Sequence, residues 1–312
     1  MAKDADSLAE SREFRQKVIE KYGFIPTSVI EPDYSWGKHI IEHDKSKQNN
    51  VGKEKHDKMS YNVKTYTTQD GKEVSVNQMT KAFKMSSLNV RGKGSGISTF
   101  PPGLAKFIVE FYSEKDHIVL DPCAGHNSRM QVTYQLGRNY IGYDVCKEFM
   151  EFNRKVKDEI MGNQLFAPTH SITLREQTSE KMVEENETID MVYTSPPYYC
   201  VEHYGDEPEQ LGLSGSYEKF LERVLVIIKE CHRVLKQDKY CIWNINDFRM
   251  DSKFYPYHAD IMRLFVEAGF KLHDVVIVKW SNSLGACFAT QVEGRKVTAK
   301  IHEYLVVGKK TT

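Results

Sequence analysis

The sequence predicts an α/β fold in which a mainly parallel sheet is covered by helices on both faces. Apolar, β-prone segments near residues 117, 140, 167, 190, 239, 273 and 301 alternate with helical segments, and this alternation is typical of parallel strands joined by helical crossovers. Two amphipathic stretches, at about 216–235 and 257–268, have the spacing of surface helices. Gly269 follows the second stretch, as expected of a C-cap.

The chain is predicted to divide into an amino-terminal extension, residues 1–94, and a larger unit, residues 95–312, which contains the alternating strands. Within the extension, residues 6–22 have a helical pattern, and residues 63–76 have hairpin character around an Asp-Gly pair. Residues 45–59 are polar, rich in Lys and Asn, and show no core pattern. The total of 312 residues suffices for one large core with a smaller appendage.

The first strand of the larger unit ends in an acidic residue and is followed by a small-residue turn, Asp121-Pro122-Cys123-Ala124-Gly125-His126, and then by a helix from about residue 128 to 136. Ala124 and Gly125 allow the backbone to approach a ligand where a larger side chain would block it. The turn has no Gly-Lys-Ser/Thr and is therefore not a phosphate loop. This pattern predicts a nucleotide site.

A second short strand, Tyr140-Ile141-Gly142-Tyr143-Asp144, also ends in a carboxylate. An acid at this place suits the two hydroxyls of a ribose. An Asp at a strand end equally often serves as a helix N-cap. The sequence leaves both roles open for Asp144.

A double proline follows the apolar run 189–193, in the sequence Thr194-Ser195-Pro196-Pro197-Tyr198-Tyr199. Because two prolines cannot continue a central strand, this loop is predicted at the carboxyl end of a strand, where open α/β sheets bind ligands. The Ser195 hydroxyl and the Pro196 carbonyl can each accept an N–H, and Tyr198 offers an aromatic face. The alternative interpretation is an ordinary Pro-rich turn with packed aromatics.

These motifs, in this order, resemble those of the DNA amino-methyltransferases, which use S-adenosylmethionine to modify N4 of cytosine or N6 of adenine. The segment at 98–106 and the segments at 243–247 and 302–307 fit the same family, so the resemblance covers roughly residues 95–310. It implies a Rossmann-like methyltransferase fold of seven mainly parallel strands, with an antiparallel last strand near 301–307.

The resemblance also implies site residues and a partner. The cofactor S-adenosyl-L-methionine would be bound by Phe100, Asp121, Cys123, Ala124, Gly125, His126, Asp144 and Thr194. The target base of double-stranded DNA, flipped out of the helix, would be handled by Ser195, Pro196, Pro197 and Tyr198. Ser195 stands where adenine enzymes more often have Asp, which favours N4 of cytosine over N6 of adenine.

The chain departs from the family pattern in the cofactor turn. The family usually has Asp-Pro-Phe-Ala-Gly-Ser-Gly-Thr, whereas this chain has Cys123, His126 and Asn127 in place of Phe, Ser and the second Gly. Asn127 is expected to preserve the turn, because Asn tolerates a left-handed backbone. The family often has an acidic residue on its third strand, and this chain has none around residues 169–172. Ser171 is the feasible contact there for the adenine of the cofactor.

Two alternatives therefore stay open. One is an RNA or protein-amide methyltransferase on the same fold. The other is a non-catalytic DNA-binding protein on a decayed methyltransferase fold. The site-specific DNA-methyltransferase, cytosine-N4- or adenine-N6-specific, is the main hypothesis.

The distribution of charged and polar residues indicates which parts of the chain could contact DNA. The formal net charge is zero, but basic residues concentrate between 45 and 106, where they could contact phosphates. The stretch 199–216 carries polar side chains suited to a lid or to base contacts, and the stretch 280–300 carries side chains suited to bases or phosphates. Which segment reads the DNA, the oligomeric state and the presence of a separate restriction endonuclease are not determined by the sequence.

The compartment and metal content can also be predicted. The six cysteines have no Cys-x-x-Cys or Cys/His ligand spacing, so neither a metal site nor a disulfide framework is expected. There is no apolar run of about 18 residues and no secretory start. The expectation is a cytoplasmic protein without a membrane span.

Overall fold

The computed structural model describes residues 5–22, 26–33, 65–67, 73–75, 100–162, 169–201, 204–250, 253–280, 296–298 and 300–311. Several sequence predictions fall outside these residues. They are the polar stretch 45–59, most of the basic segment before residue 100, and residues 281–295 of the polar stretch 280–300. Those predictions stay predictions.

Six helices lie in the described part of the chain: α1 (Ala5–Tyr22), α2 (Pro102–Tyr112), α3 (Ser128–Gln135), α4 (Lys147–Gly162), α5 (Tyr217–Val234) and α6 (Tyr257–Glu267). The twelve described strands are β1 (Val29–Ile30), β2 (Thr65–Thr67), β3 (Glu73–Ser75), β4 (Ile118–Asp121), β5 (Asn139–Asp144), β6 (Ile172–Glu176), β7 (Ile189–Thr194), β8 (Leu235–Ile245), β9 (Phe248–Met250), β10 (Lys253–Tyr255), β11 (Lys271–Lys279) and β12 (His302–Lys309). Two of the helix starts have clear sequence causes: a proline begins α2, and the Ser216 side chain caps α5 by accepting from Lys219 N.

Eight strands form one sheet in the order β6-β5-β4-β7-β8-β12-β11-β1. The strands from β6 to β8 pair in parallel, whereas β12 pairs antiparallel with both β8 and β11. The chain runs outward from β4 through β5 to β6 and then returns to start again at β7. The order of strands therefore reverses between β4 and β7, and such a switch point is where open α/β sheets bind ligands.

The core has three parts: two large clusters, one on each face of this sheet, and a small cluster between α3 and the strands β5 and β6. Successive strand residues point to opposite faces, so Leu120 and Val192 pack with α5 and α6, whereas Val119 and Met191 pack with α2. The near-continuous apolar character of β7 follows from this double burial, since all six of its residues are buried.

The predicted fold class is confirmed, including the antiparallel last strand, but the sheet has eight strands instead of the predicted seven, because β1 adds to its edge. Several elements differ from the predictions. The third strand begins at Ile172 rather than near 167, α2 and α4 were not predicted, and β9 and β10 form an additional hairpin. Pairing of β2 with β3 agrees with the predicted hairpin.

The division at residue 94 stays a prediction. One short strand from its amino-terminal side, β1, pairs in parallel with β11 at the edge of the large sheet.

Candidate active site

A cavity of about 430 Å³ opens at the carboxyl ends of the parallel strands, beside the switch point. Such a volume falls within the range of small-ligand sites. Its wall contains nine of the residues that the sequence predicted for cofactor and base: Phe100, Cys123, Gly125, His126, Asp144, Ser195, Pro196, Pro197 and Tyr198. The turn after β4, the end of β5 and the loop after β7 thus face one space.

The loop after β7 is held by its own aromatic neighbours. Tyr199 has a positive φ of 51° and is buried against Tyr217 and Phe220, with ring centroids 5.8 Å and 5.5 Å away. Tyr198, by contrast, is only partly buried and meets Tyr257 edge to face at 6.3 Å. The sharp turn at Tyr199 sends the two tyrosines in different directions, so that one anchors the loop and the other lines the cavity.

Asp121 is fully buried at the switch point and binds several neighbours at once. Its carboxylate accepts from Arg129 Nε at 2.7 Å, Thr194 Oγ1 at 2.7 Å and Tyr140 Oη at 3.0 Å. Arg129 also donates to the carbonyl oxygens of Cys123 (2.5 Å) and Ala124 (3.1 Å). Burial alone would lower the pKa of Arg129, but the Asp121 charge outweighs burial and raises it. This buried ion pair ties the turn to α3.

Asp144 ends β5 and supports the same turn from the other side. Its two carboxylate oxygens accept from the backbone N–H groups of Gly125 (2.7 Å) and Cys146 (2.8 Å). Burial raises the pKa of Asp144 to about 6, although both backbone hydrogen bonds oppose that rise. The N–H that Asp144 binds, that of Cys146, precedes α4, so Asp144 is not the N-cap of that helix. Asp144 lines the cavity, and its role toward a ribose stays a prediction.

The turn adopts a different geometry from the one expected of its sequence. Gly125 is the left-handed residue, with φ of 52°, whereas Asn127 has a right-handed helical backbone with φ of −60°. The expectation that Asn127 is left-handed is therefore wrong. Its side-chain amide instead donates to Gln131 at 2.9 Å inside α3, so losing the second glycine does not strain the backbone here.

His126 replaces the usual Ser and packs its ring on Phe149 with centroids 4.6 Å apart. Burial lowers the pKa of His126 to about 4, so the ring is neutral near pH 7. Its Nδ1 is buried without a hydrogen-bond partner. Since His126 lines the cavity, a ligand there would meet a neutral imidazole.

Three predicted residues do not line the cavity. Asp121, Ala124 and Thr194 are fully buried behind its wall. Thr194 joins β7 to β4 through its bond to Asp121. Their placement makes them supports of the turn and of the loop.

The cavity wall includes other residues that sequence reasoning missed. Gln177, Thr178 and Ser179, which follow β6, stand where the adenine contact was expected. Ser171 lies at the opposite end of that strand, where both its N–H and its Oγ donate to Asn139 Oδ1, so the contact predicted for Ser171 is wrong. The error came from placing the strand too early in the chain.

Further wall residues come from α3, from the later strands and from the stretches 199–216 and 280–300: Arg129, Tyr204, Glu209, Gln210, Leu211, Asn244, Asn246, Trp280 and Glu303. Asn244 Nδ2 donates to Glu303 Oε2 at 2.6 Å across β8 and β12. Polar residues at the carboxyl end of a predicted central strand, as at Asn244 and Asn246, are a signal that could have found them. The segment from 204 to 211 is fixed in the wall by Arg223, which donates to the carbonyl oxygens of Glu209 and Gln210.

The strand order, the cavity at the switch point and the Ser-Pro-Pro-Tyr loop in its wall define the class of Rossmann-like methyltransferases. Comparison with known families agrees, since the family described as DNA methylase matches residues 19–155 and 189–312. The chain belongs to this family of DNA amino-methyltransferases. Its cofactor is S-adenosyl-L-methionine, and the cavity fits that molecule: it is large enough, it presents a carboxylate at a strand end, and it contains the unpartnered His126 Nδ1.

Individual relatives match over short segments. The chain is 33% identical to the Type II methyltransferase M.Cfr9I of Citrobacter freundii over 111 residues, which is 33% of this chain and 35% of that protein. It is 42% identical to the Type II methyltransferase M.SfiI of Streptomyces fimbriatus over 62 residues, 20% of this chain and 14% of that one. The match thus spans about a third or less of either relative's length.

Among solved structures, a SAM-dependent methyltransferase from Methanosarcina mazei is 13% identical, with a TM-score of 0.45, covering 69% of this chain and 99% of the other. The fold assignment rests on the strand order and not on this likeness. No helix among the described residues combines the length and apolar character needed to cross a membrane. In the same part of the chain, no cluster of three or more His, Cys, Asp or Glu side chains could hold a metal ion.

Proposed function

We propose that this protein is a DNA methyltransferase that transfers a methyl group from S-adenosyl-L-methionine to the exocyclic amino group of a base flipped out of double-stranded DNA. The observation that carries the proposal is that Ser195–Tyr198 line the same cavity as Asp144 and the turn after β4. A base-orienting loop and a cofactor-binding turn in one cavity would bring an amino nitrogen next to a methyl donor.

The role of the loop follows from the weakness of the nucleophile. The lone pair of a base's amino nitrogen is delocalised into the ring, so the nitrogen attacks well only when its N–H bonds are held out of the ring plane. The Ser195 hydroxyl and the Pro196 carbonyl would each accept one of these N–H groups, and Tyr198 would stack on the base. When bound, the cofactor supplies a methyl group made electrophilic by its sulfonium. The proton lost from the nitrogen leaves after transfer, so no strong general base is needed.

The cofactor would be held by both sides of the turn. The Asp144 carboxylate would accept from the ribose hydroxyls, and the backbone from Cys123 to His126 would hold the amino-acid end. Phe100, on whose ring the Arg129 guanidinium sits at 5.1 Å, would contact the aliphatic portion. Asp121, Ala124 and Thr194 would act by positioning the turn and the loop.

We further propose N4 of cytosine as the favoured target over N6 of adenine. Ser195 is a neutral acceptor where the adenine enzymes of the family more often have Asp. The matched relatives are named Type II methyltransferases, and the proposal accordingly includes a specific recognition sequence and a modification role in a restriction-modification system.

The direct test is incubation of the protein with labelled cofactor and separate pools of DNA, RNA and protein. Label in DNA alone, followed by mass spectrometry of its nucleosides, would identify the methylated base. Label in the RNA or protein pool would support the alternative substrates. Calorimetry with S-adenosyl-L-methionine distinguishes an inactive DNA-binding protein, which would bind duplex without binding the cofactor.

Cofactor affinity is expected to fall as the pH drops through about 6. The Asp144 pKa is raised to about 6, so its carboxylate is ionised above that pH and becomes protonated below it. A protonated carboxyl would accept less well from the ribose hydroxyls. Isothermal titration calorimetry with S-adenosyl-L-methionine between pH 5 and pH 8 checks this expectation.

Asp144→Asn is the matched control for the pH effect. It should bind the cofactor weakly at pH 8 and show a flatter pH dependence, because the titrating group is gone. His126 does not titrate in this window, since its pKa is about 4. Equal wild-type affinity at pH 5 and pH 8 would contradict the role of Asp144.

Tyr198→Ala is expected to weaken DNA methylation without affecting cofactor binding. Loss of base–aromatic stacking costs roughly 1–3 kcal/mol, which predicts a fall of about fivefold to 150-fold in kcat/KM for DNA. Tyr198→Phe keeps the ring and should retain most of the activity. Steady-state kinetics with the mapped recognition sequence measures both variants, and equal losses in the two would argue for the hydroxyl instead of the ring.

A further inference from the structure

A small hairpin, β9 and β10, follows directly from the carboxyl end of β8 and thus projects from the edge of the sheet that bears the cavity. Its register pairs Phe248 with Tyr255, Arg249 with Phe254 and Met250 with Lys253. Because side chains alternate along a strand, Phe248 and Tyr255 share one face, and Arg249 and Phe254 share the other.

The inward face, which carries Phe248 and Tyr255, packs toward the Ser-Pro-Pro-Tyr loop after β7. Phe248 and Tyr255 are buried and stack on each other at 4.9 Å with 11° between their planes. Phe248 also meets Tyr257 at 6.2 Å, which in turn meets Tyr198 at 6.3 Å. Met250 Sδ lies 3.5 Å from Cys200 Sγ, just beyond the Ser-Pro-Pro-Tyr sequence. The hairpin therefore has a fixed place beside the proposed base site.

The outward face is basic and aromatic. Phe254 is 44% exposed, and the Arg249 guanidinium lies over its ring at 4.8 Å. Lys253 is exposed as well, but it pairs with Met250 and its Nζ lies over the Tyr255 ring at 4.8 Å, so it belongs to the other face. None of the six residues described in the two strands is acidic; Asp251 and Ser252, which join the strands, lie outside the described residues.

We propose that the outward face of this hairpin binds the DNA duplex beside the extruded nucleotide, with Arg249 on a backbone phosphate and Phe254 against the neighbouring sugar and base. This inference rests on the proposed function. Charge favours DNA as the partner, since the exposed guanidinium can bind a backbone phosphate. The aromatic ring beneath the guanidinium can pack against a neighbouring base. A protein partner would need a patch of about 800 Å², far more than two side chains offer. Arg249 and Phe254 alone carry the proposal, because Lys253 lies over Tyr255 on the other face.

The test uses the full chain with Arg249→Ala and Phe254→Ala. On a labelled random-sequence duplex, Arg249→Ala should bind about tenfold more weakly and lower the salt dependence of log K by about one phosphate contact. On a duplex with the mapped recognition sequence, Phe254→Ala should reduce kcat/KM for DNA by about tenfold. Both variants should bind S-adenosyl-L-methionine with unchanged affinity, because neither residue lines the cavity.

Matched controls are Lys271→Ala and Leu272→Ala, an exposed cation and an exposed apolar residue at the opposite edge of the sheet, at the start of β11. They should leave DNA binding and methylation unchanged. If the wild type methylates DNA and the hairpin variants behave as these controls do, the hairpin inference is overturned and the proposed function stands. If the wild type methylates no DNA, the proposed function fails. In that case, the salt dependence of log K for the random-sequence duplex, compared between the wild type and Arg249→Ala, still decides whether the hairpin binds nucleic acid.

Discussion

Replacing Asp121 by alanine is expected to lower the free energy of unfolding by about 3–5 kcal/mol, because it leaves the buried Arg129 guanidinium without its counter-ion. Both side chains are almost fully buried, with 6% of Arg129 and 1% of Asp121 exposed. The carboxylate also accepts from Thr194 and Tyr140, so two further buried hydroxyls lose their acceptor. Thermal unfolding should show a fall in Tm on the order of 10 °C.

A double variant separates the unpaired charge from the lost packing. Asp121→Ala combined with Arg129→Met removes both charges, and it should be less destabilised than Asp121→Ala alone. Urea unfolding of the single and double variants gives the coupling free energy. A double variant as unstable as the sum of the two single variants would show that the ion pair contributes no coupling. Surface pairs such as Arg263 with Glu267 offer a comparison, and breaking them should change stability by less than about 1 kcal/mol.

The sequence could predict the strands, the strand-end acids and the double-proline loop, because each has a local physical cause. Alternating apolar runs require burial in a sheet, and the prolines at 196 and 197 end strand pairing wherever they occur. The positions of Asp144 and Ser195 in the cavity wall follow from the rule that parallel strands end at one edge. These inferences need no knowledge of distant contacts.

The predictions that failed concern the limits of one strand and the backbone of one turn residue, Asn127. Arg129 was missed, because it reads as a polar residue on a short helix and nothing local shows that it turns inward to Asp121. Ser171 was placed at the ligand edge because the third strand was expected near residue 167, whereas it begins at Ile172 and ends at Glu176. Glu176 pairs with Arg154 at 2.7 Å, so an acid does end this strand, but it is outside the cavity wall.

The altered cofactor turn shows how a substitution can look damaging in sequence and be accommodated in space. The family's second glycine is Asn127 here, at a position whose backbone is already right-handed. Gly125 keeps the left-handed position, and the Arg129 guanidinium donates to the carbonyl oxygens of Cys123 and Ala124 in the turn. This geometry supports the proposal of a working enzyme over a decayed fold.

Ser195→Ala is expected to have the largest effect on catalysis, lowering kcat for DNA methylation by about 10²-fold while leaving the affinity for S-adenosyl-L-methionine unchanged. The estimate is that for removing one hydrogen bond to charge that develops in a transition state. Since the amino N–H becomes more acidic as the nitrogen attacks, its bond to the Ser195 hydroxyl strengthens during the step. Such an interaction lowers kcat and kcat/KM together when it is lost.

Two further variants decide whether the hydroxyl acts as an acceptor. Ser195→Asp restores an acceptor at the same place and should recover part of the activity that Ser195→Ala loses. Ser171→Ala removes a serine hydroxyl that lies at the amino end of β6, outside the cavity wall, where it donates to Asn139 Oδ1, and it should leave kcat unchanged. Single-turnover kinetics on the mapped recognition sequence separates chemistry from product release. A loss confined to KM for DNA would mean that Ser195 holds the base equally in the ground state and in the transition state, and its proposed part in activating the amine would be wrong.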